Sequence, residues 1–379
     1  MMRTWRFTPR AMFRGFGLAL LAIALQTSCA PTLPRAYKES AAAAERAYTS
    51  GRYDEAAALY RQAADTASRD KDRDEMLFLS ASSKQRGGRG AEAREAFAAL
   101  EALSPNGDRA SRAAYEQVQL ELARGDEAKG WTMLLAFLRK YPQSGTGPRA
   151  LQRYVAHLDE AQGEAAGLVF LRENLAWAEG AGLGEEALYA IAEHLERAGS
   201  SVEARDTFLR CATEHPYPQG GLFDDALYRA SLLDEKLGDP KAAIADLDRM
   251  LREREVSTFS GSYERPRYAR SQLRRAQLYR DGLKDHATAR REFRRLFVEF
   301  TTSVLRDDAL WEEANLALED KDEPAACEAA SLLVKDLPDS RFAACVKLVC
   351  PSLGGSNTPR QCRHYIERGS PDGVDTPSE

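Results

Sequence analysis

Along most of the chain, apolar residues recur in one arrangement that repeats at a long period. A glycine, polar or small residue opens the template at position 0. A small residue, mostly alanine, follows at +5 and a large apolar residue at +9. Position 0 falls on Gly51, Gly88, Gly125, Ala161, Gly199, Gly238, Lys284 and Lys321. The +5 residues are Ala56, Ala93, Gly130, Ala166, Ala204, Ala243, Ala289 and Ala326. The +9 residues are Tyr60, Phe97, Leu134, Phe170, Phe208, Leu247, Phe293 and Ala330. Successive units are 37, 37, 36, 38, 39, 46 and 37 residues apart. A second register lies upstream: leucines at -11 (Leu77, Leu188, Leu227, Leu310), aromatics at -10 (Phe78, Tyr115, Tyr189, Tyr228, Trp311) and acids at -13 (Glu75, Glu186, Asp225, Asp308).

This pattern predicts two helices per unit, turning at position 0. Acids in the first turn complement the positive end of the first helix. The turn residue, often glycine, ends it in a conformation with positive φ. Small residues at +5 let the helices approach, and the +9 side chain fills the space beside them. Pro105, Pro142, Pro216 and Pro338 follow several second helices, where proline stops a helix. The -10 aromatics share a face with the apolar -11 residues, so they read as packing between units, with a peptide-binding row as the rival reading.

A helical hairpin repeating in this way resembles the tetratricopeptide repeat family, whose usual period is about 34 residues. The resemblance covers residues 35–350. Most units are two to five residues longer than that period, and the family's first-helix Trp and Leu-Gly pattern is absent. It implies an all-α fold, a right-handed α-solenoid of about eight tetratricopeptide-like hairpins. It also implies that protein partners lie on the surface lined by first helices. The segments Asp225–Tyr228, Asp308–Trp311, Tyr141–Ser144 and Leu337–Ser340 resemble those of bacterial envelope lipoproteins in outer-membrane assembly and Tol–Pal coordination.

The N-terminus adds an address. Arg3, Arg6, Arg10 and Arg14 precede an apolar run from Phe16 to Leu25, then Gln26, Thr27, Ser28 and Cys29. Basic start, short apolar stretch and small residues form an export signal. The run is about half the ~20 residues of a transmembrane helix. Ser28 before Cys29 resembles a bacterial lipoprotein signal, which implies lipidation of Cys29. The departure is Gln26, where that family usually has Leu. Ordinary cleavage after Ala30 is the alternative, giving a soluble periplasmic protein. Ala30, in a place where Asp would retain the protein on the inner membrane, implies the periplasmic side of the outer membrane. The expected division is signal peptide 1–28, tether 29–34, solenoid 35–350, and 351–379 as a loop, short helix and flexible tail.

Charge narrows the partners. The net charge is -5 over 379 residues. Without the four signal arginines, 49 bases face 58 acids, or -9. Such a balance argues against general nucleic-acid binding. One segment runs the other way. Residues 265–297 hold eleven bases and only three acids, or +8, and the next unit is acidic. Either the two units neutralise each other, or the bases form a cationic patch for an acidic partner, anionic lipid or cell-wall polymer. The spacing of 46 places an insertion near 256–266. Its Phe259 and Tyr263, with Arg270 and Arg274 on the following helix, are the expected partner-binding residues.

Cys350 and Cys362 flank a loop with Gly354 and Gly355 and are the expected disulfide, with Cys345 as rival partner. Cys211 and Cys327 read as small core residues. His-Glu-x-x-His, Gly-x-Ser-x-Gly and phosphate-binding glycine loops are all absent. No catalytic, metal or cofactor site is therefore expected. The expected function is a non-catalytic envelope scaffold or adaptor lipoprotein. The alternative is a cell-wall-associated protein recruiting or accompanying a peptidoglycan enzyme. Cys29→Ser should convert a membrane-bound, fatty-acid-labelled product into a soluble or unprocessed one. Unchanged fractionation with no label on the parent would favour ordinary cleavage.

Overall fold

The computed structural model describes residues 33–253 and 266–353, together with 362, 364 and 365. These residues form sixteen α-helices and no strand, arranged as eight antiparallel hairpins. Cys29, Phe259 and Tyr263 lie outside the described residues. No helix among those described is long and apolar enough to cross a membrane.

The chain divides into two compact units at Tyr141. The first holds three hairpins: α1 (Arg35–Thr49) with α2 (Tyr53–Asp65), α3 (Asp70–Arg86) with α4 (Gly90–Leu103), and α5 (Ala110–Ala123) with α6 (Glu127–Lys140). The second holds five. These are α7 (Gly147–Gln162) with α8 (Ala166–Gly180), α9 (Gly184–Arg197) with α10 (Ser201–Glu214), and α11 (Phe223–Lys236) with α12 (Pro240–Arg252). They continue with α13 (Pro266–Gln277), extended by a widened turn at Leu278–Gly282, with α14 (His286–Glu299), and α15 (Arg306–Glu319) with α16 (Glu323–Asp336). Two short 3₁₀ turns, Ala343–Leu348 and Pro351–Leu353, end the stack.

Each turn is local chemistry. At Gly238 φ is +83°, and the Asp239 N–H reaches back to the Asp234 carbonyl at 2.9 Å, closing the end of α11. Asp239 then caps α12, its carboxylate accepting from the Lys241 and Ala242 amides at 3.1 and 3.0 Å. Asp126, Asp285 and Asp322 cap α6, α14 and α16 from the same place. Lys284 and Lys321 hold φ of +55° and +64° at their turns without being glycine. That conformation is uncommon for a side-chain-bearing residue. The tertiary fold therefore imposes a backbone shape there that local preference resists.

The small-plus-large rule holds in six of the eight hairpins, and in the eighth both positions are alanine. Ala56, Ala93, Ala204, Ala243, Ala289 and Ala326 are fully buried at +5, and Gly130 is buried too. At +9, Tyr60, Phe97, Leu134, Phe208, Leu247, Phe293 and Ala330 are buried. The fourth hairpin is shifted. Its turn is Gly163, at φ +104°, and Ala161 still belongs to α7. The close approach falls on Gly167 and the filling side chain is Leu171, each one residue beyond the expected Ala166 and Phe170. A Cβ on Gly167 would lie 2.6 Å from the Asp159 carboxylate and 2.7 Å from a Val155 methyl, so a larger residue would force these side chains to move. The -10 aromatics pack inward. Phe78 meets Phe97 at 5.3 Å between ring centroids, and Tyr189 meets Phe208 at 5.2 Å.

The last hairpin is covered by the 3₁₀ segment. Phe342 stacks on Trp311 at 5.1 Å, and Cys345, Val346 and Val349 bury with it against α15 and α16. Two disulfides hold this cover: Cys327–Cys350 and Cys345–Cys362. The expected Cys350–Cys362 pairing is therefore incorrect. The 3₁₀ turn carries Cys350 back onto α16, where Cys327 waits, and leaves Cys345 to meet Cys362. Cys327 is not an inert core residue, whereas Cys211 is free and buried.

Phe208→Ala should cost about 3–5 kcal/mol, because it removes a fully buried ring and leaves a cavity. Val202→Ala, on the exposed side of the same helix, should cost under about 0.5 kcal/mol. Urea titration of the two variants checks the +9 register directly.

Candidate partner-binding surface

Within each unit, arginine and carboxylate side chains tie neighbouring hairpins together. In the first unit Arg94 on α4 pairs with Glu121 on α5, and Arg109 with Glu75 on α3. In the second, Arg205 on α10 meets Asp234 on α11 at 2.8 Å, and Arg229 meets Glu196 at 2.6 Å. His194 is likewise structural. Its two ring nitrogens lie 2.7 Å from the Ala190 carbonyl and 2.7 Å from Asp159 on α7.

The basic seventh hairpin takes part in this scheme on both sides. Arg267 pairs with Asp225 and Arg274 with Glu235, both on α11. Arg275 bridges Asp248 and Glu292. Facing the eighth hairpin, Arg290 lies 2.7 Å from Asp322, and Arg294 reaches Glu313 and Glu328 at 2.8 Å each. Arg280, on the widened turn, enters the interior and pairs with the fully buried Glu312. Burial pulls the Arg280 pKa down, but Asp281 and Glu312 outweigh it and the net shift is upward. Tyr365 covers this pair. Its ring centroid lies 4.1 Å from the Arg280 guanidinium, and its hydroxyl donates to Glu319.

Of the four expected partner-binding residues, Arg270 and Arg274 share α13. Arg274 is largely enclosed, its guanidinium on Glu235 and also donating to Gln277 at 3.3 Å. Arg270 is half-buried. Phe259 and Tyr263 lie outside the described residues, so the four are not assembled into one described surface.

The grooves among the described residues include one in each unit. The first, about 550 Å³, lies between α2, α3 and α4, with Arg61, Leu77, Lys84 and Leu103 among its walls. The second, about 460 Å³, is formed by the first helices α7 and α9 and the residues Gly221 and Leu222 just before α11. Leu151, Val155 and Ala190 give it apolar walls, and Gln152, Glu186, Tyr189 and Glu193 line it with them. Burial pushes the Glu186 and Glu193 carboxyls up from their ordinary range. This groove was missed in the sequence because its walls come from two helices and a loop up to 74 residues apart (Pro148 to Leu222). Among the described residues no group of three or more His, Cys, Asp or Glu side chains is arranged to hold a metal.

The chain matches no protein-family model and no curated protein. Similar solved structures include a tetratricopeptide repeat protein from Parabacteroides merdae, 14% identical over 69% of this chain and 93% of that one, with a TM-score of 0.32. The TPR2AB domain of yeast Sti1, in complex with an HSP90 peptide, is 13% identical over 78% and 98% of the chains, with a TM-score of 0.29. The Cut9–Hcn1 hetero-tetramer of the APC/C supplies another, 12% identical over 81% and 54%, with a TM-score of 0.33. The described residues form eight hairpins, recurring every 36 to 46 residues with a small residue near +5, whatever these likenesses. They make an all-α array of helical hairpins. In it the charged side chains serve first to bind hairpin to hairpin within each unit.

One of these charge clusters is in conflict with itself. Burial, the hydrogen bond to Asp234 and that residue's charge raise the Asp246 pKa to about 7. An acid raised in the folded state contributes most to stability below its unfolded pKa of about 3.9, and that contribution is lost as pH rises through the folded value. Asp246→Asn should therefore stabilise the protein at pH 8 by about 1–2 kcal/mol, the full shift being discounted for solvent screening. The advantage should shrink as pH falls through about 7 and vanish near pH 4. Thermal unfolding of the pair of proteins across this range is the measurement, and a gain independent of pH would contradict the assignment.

Proposed function

We propose that this protein is a non-catalytic scaffold or adaptor lipoprotein of the bacterial cell envelope. In this reading lipid on Cys29 holds it at the periplasmic side of the outer membrane. Its hairpin surface binds protein partners there, in the assembly of an outer-membrane machine. The observation that carries the binding role is the repeat itself. Stacked hairpins leave a long side-chain-lined surface, and the first-helix groove of 460 Å³ offers apolar walls with a few polar groups.

Two further features support an exported chain. The N-terminal pattern through Ser28 and Cys29 resembles a lipoprotein signal. The paired disulfides Cys327–Cys350 and Cys345–Cys362 suit an oxidising compartment. The inserted segment with Phe259 and Tyr263 belongs to the proposed partner surface, since aromatic residues concentrate binding energy at interfaces. Arg274 contributes less to it, its charge being engaged by Glu235.

Phe259→Ala combined with Tyr263→Ala should leave helix content unchanged and lower recovery of the cross-linked partner from native envelopes by about tenfold. Mass spectrometry of the cross-linked product names the partner. Undiminished recovery would remove the insertion from the contact surface.

A further inference from the structure

The same pair of residue types recurs one helical turn apart on four first helices: an acid at -13 and an aromatic at -10. On α3 these are Glu75 and Phe78, on α9 Glu186 and Tyr189, on α11 Asp225 and Tyr228, and on α15 Asp308 and Trp311. On α15 the terminal cover takes both, Arg341 pairing with the acid and Phe342 stacking on the ring. Residues three apart on a helix lie on one face. On α3 and α11 the chain itself fills the place between them. Arg109, immediately before α5, pairs with Glu75 and lies 5.2 Å from the Phe78 ring centroid. Arg267, at the start of α13, pairs with Asp225 and lies 4.9 Å from the Tyr228 ring centroid. The protein thus shows twice what an acid and a ring at these positions hold: an arginine, charge-paired at one side and stacked at the other.

On α9 that arginine is missing. The residue immediately before α11, in the place of Arg109, is Leu222. Neighbouring Glu185 turns to the loop instead, accepting from the Gly221 and Leu222 amides at 3.0 and 2.6 Å. Glu186 has no hydrogen bond or ion pair to another side chain among the described residues, and with Tyr189 it lines the 460 Å³ groove. Burial raises its carboxyl pKa and Glu185 adds to this, while a hydrogen bond to its own backbone amide and then His215 offset it in part.

We propose that Glu186 and Tyr189 form a socket for an arginine side chain of a partner protein segment, with Leu151 and Val155 taking an apolar neighbour of that arginine. This rests on the scaffold reading and names the chemistry the partner brings. Arginine fits better than lysine because a planar guanidinium pairs with a carboxylate while stacking on a ring, and an ammonium is a point charge. Glu193 on the next turn of α9 adds a second carboxylate to the same groove, 3.9 Å from Arg229.

The test uses the full chain with ¹³C-labelled Leu and Val methyl groups, titrated with acetyl-Leu-Arg-Leu-amide. Leu151 and Val155 resonances should shift, with at least about fivefold weaker binding for the citrulline peptide, which keeps the shape and loses the charge. Glu186→Gln should weaken binding about tenfold. Leu222→Arg, which restores the internal occupant, should abolish it without lowering the melting temperature. Tyr189→Phe, which keeps the ring, should bind as the parent does. Equal shifts with arginine and citrulline, or binding that survives Leu222→Arg in a folded protein, would overturn the socket. Cross-linking in native envelopes separates this from the broader reading. Partners captured by a protein that ignores the peptide would leave the scaffold standing and the socket refuted. A peptide-binding protein that captures no partner would keep the socket and refute the scaffold.

Discussion

How closely two antiparallel helices approach is decided by the side chain at their crossing. In this chain that side chain is a single methyl group in six of the eight hairpins: Ala56, Ala93, Ala204, Ala243, Ala289 and Ala326, all without solvent exposure. The aromatic or leucine one turn later then lies in the gap the small residue creates, and Phe97, Phe208 and Phe293 are fully enclosed there. A hairpin closed in this way still has an apolar side left over, and it is buried only against the next hairpin. The recurrence of one spacing along most of the chain follows from that single steric requirement.

Apolar packing alone does not specify order, because every hairpin offers much the same small-and-large surface. Charge distinguishes them. The seventh hairpin, rich in arginine, lies between carboxylates of the sixth and the eighth, and the Arg280–Glu312 pair is buried between the seventh and eighth. Removing charges from water is costly and is offset only when both partners are present with good geometry. A hairpin with the wrong neighbour would leave those arginines facing unpaired or like charges. The long basic run is thus explained by its position in the stack before any outside partner is considered.

Turn positions and core residues were legible because each depends on neighbours within one hairpin. The fourth hairpin shows the limit. Gly163 and Gly167 make its turn and its close approach, but Ala161, Ala166 and Phe170 imitate the same spacing nearby. The disulfides were misread for a related reason. Loop composition placed Cys350 with Cys362, while the return of the 3₁₀ turn onto α16 brings Cys350 to Cys327. The arginine sockets were not legible at all. Glu75 and Arg109 are 34 residues apart, and Asp225 and Arg267 are 42 apart, across the inserted segment. Their relation exists only once hairpins stack. The acids at -13 had been assigned to the helix dipole, which accounts for their place but not for their partners.

The end of the stack has a consequence of its own. A repeat array has no inherent reason to stop, since its last apolar side is shaped to receive another unit of the same kind. Here the segment around Phe342 occupies that side, its ring lying flat on Trp311. The two disulfide loops overlap, for Cys345 lies within the loop closed by Cys327 and Cys350, and Cys350 lies within the loop closed by Cys345 and Cys362. Severing one bond leaves the plug fastened by the other. The cover is thus fastened twice over, by interlocked bonds and by the apolar packing beneath them.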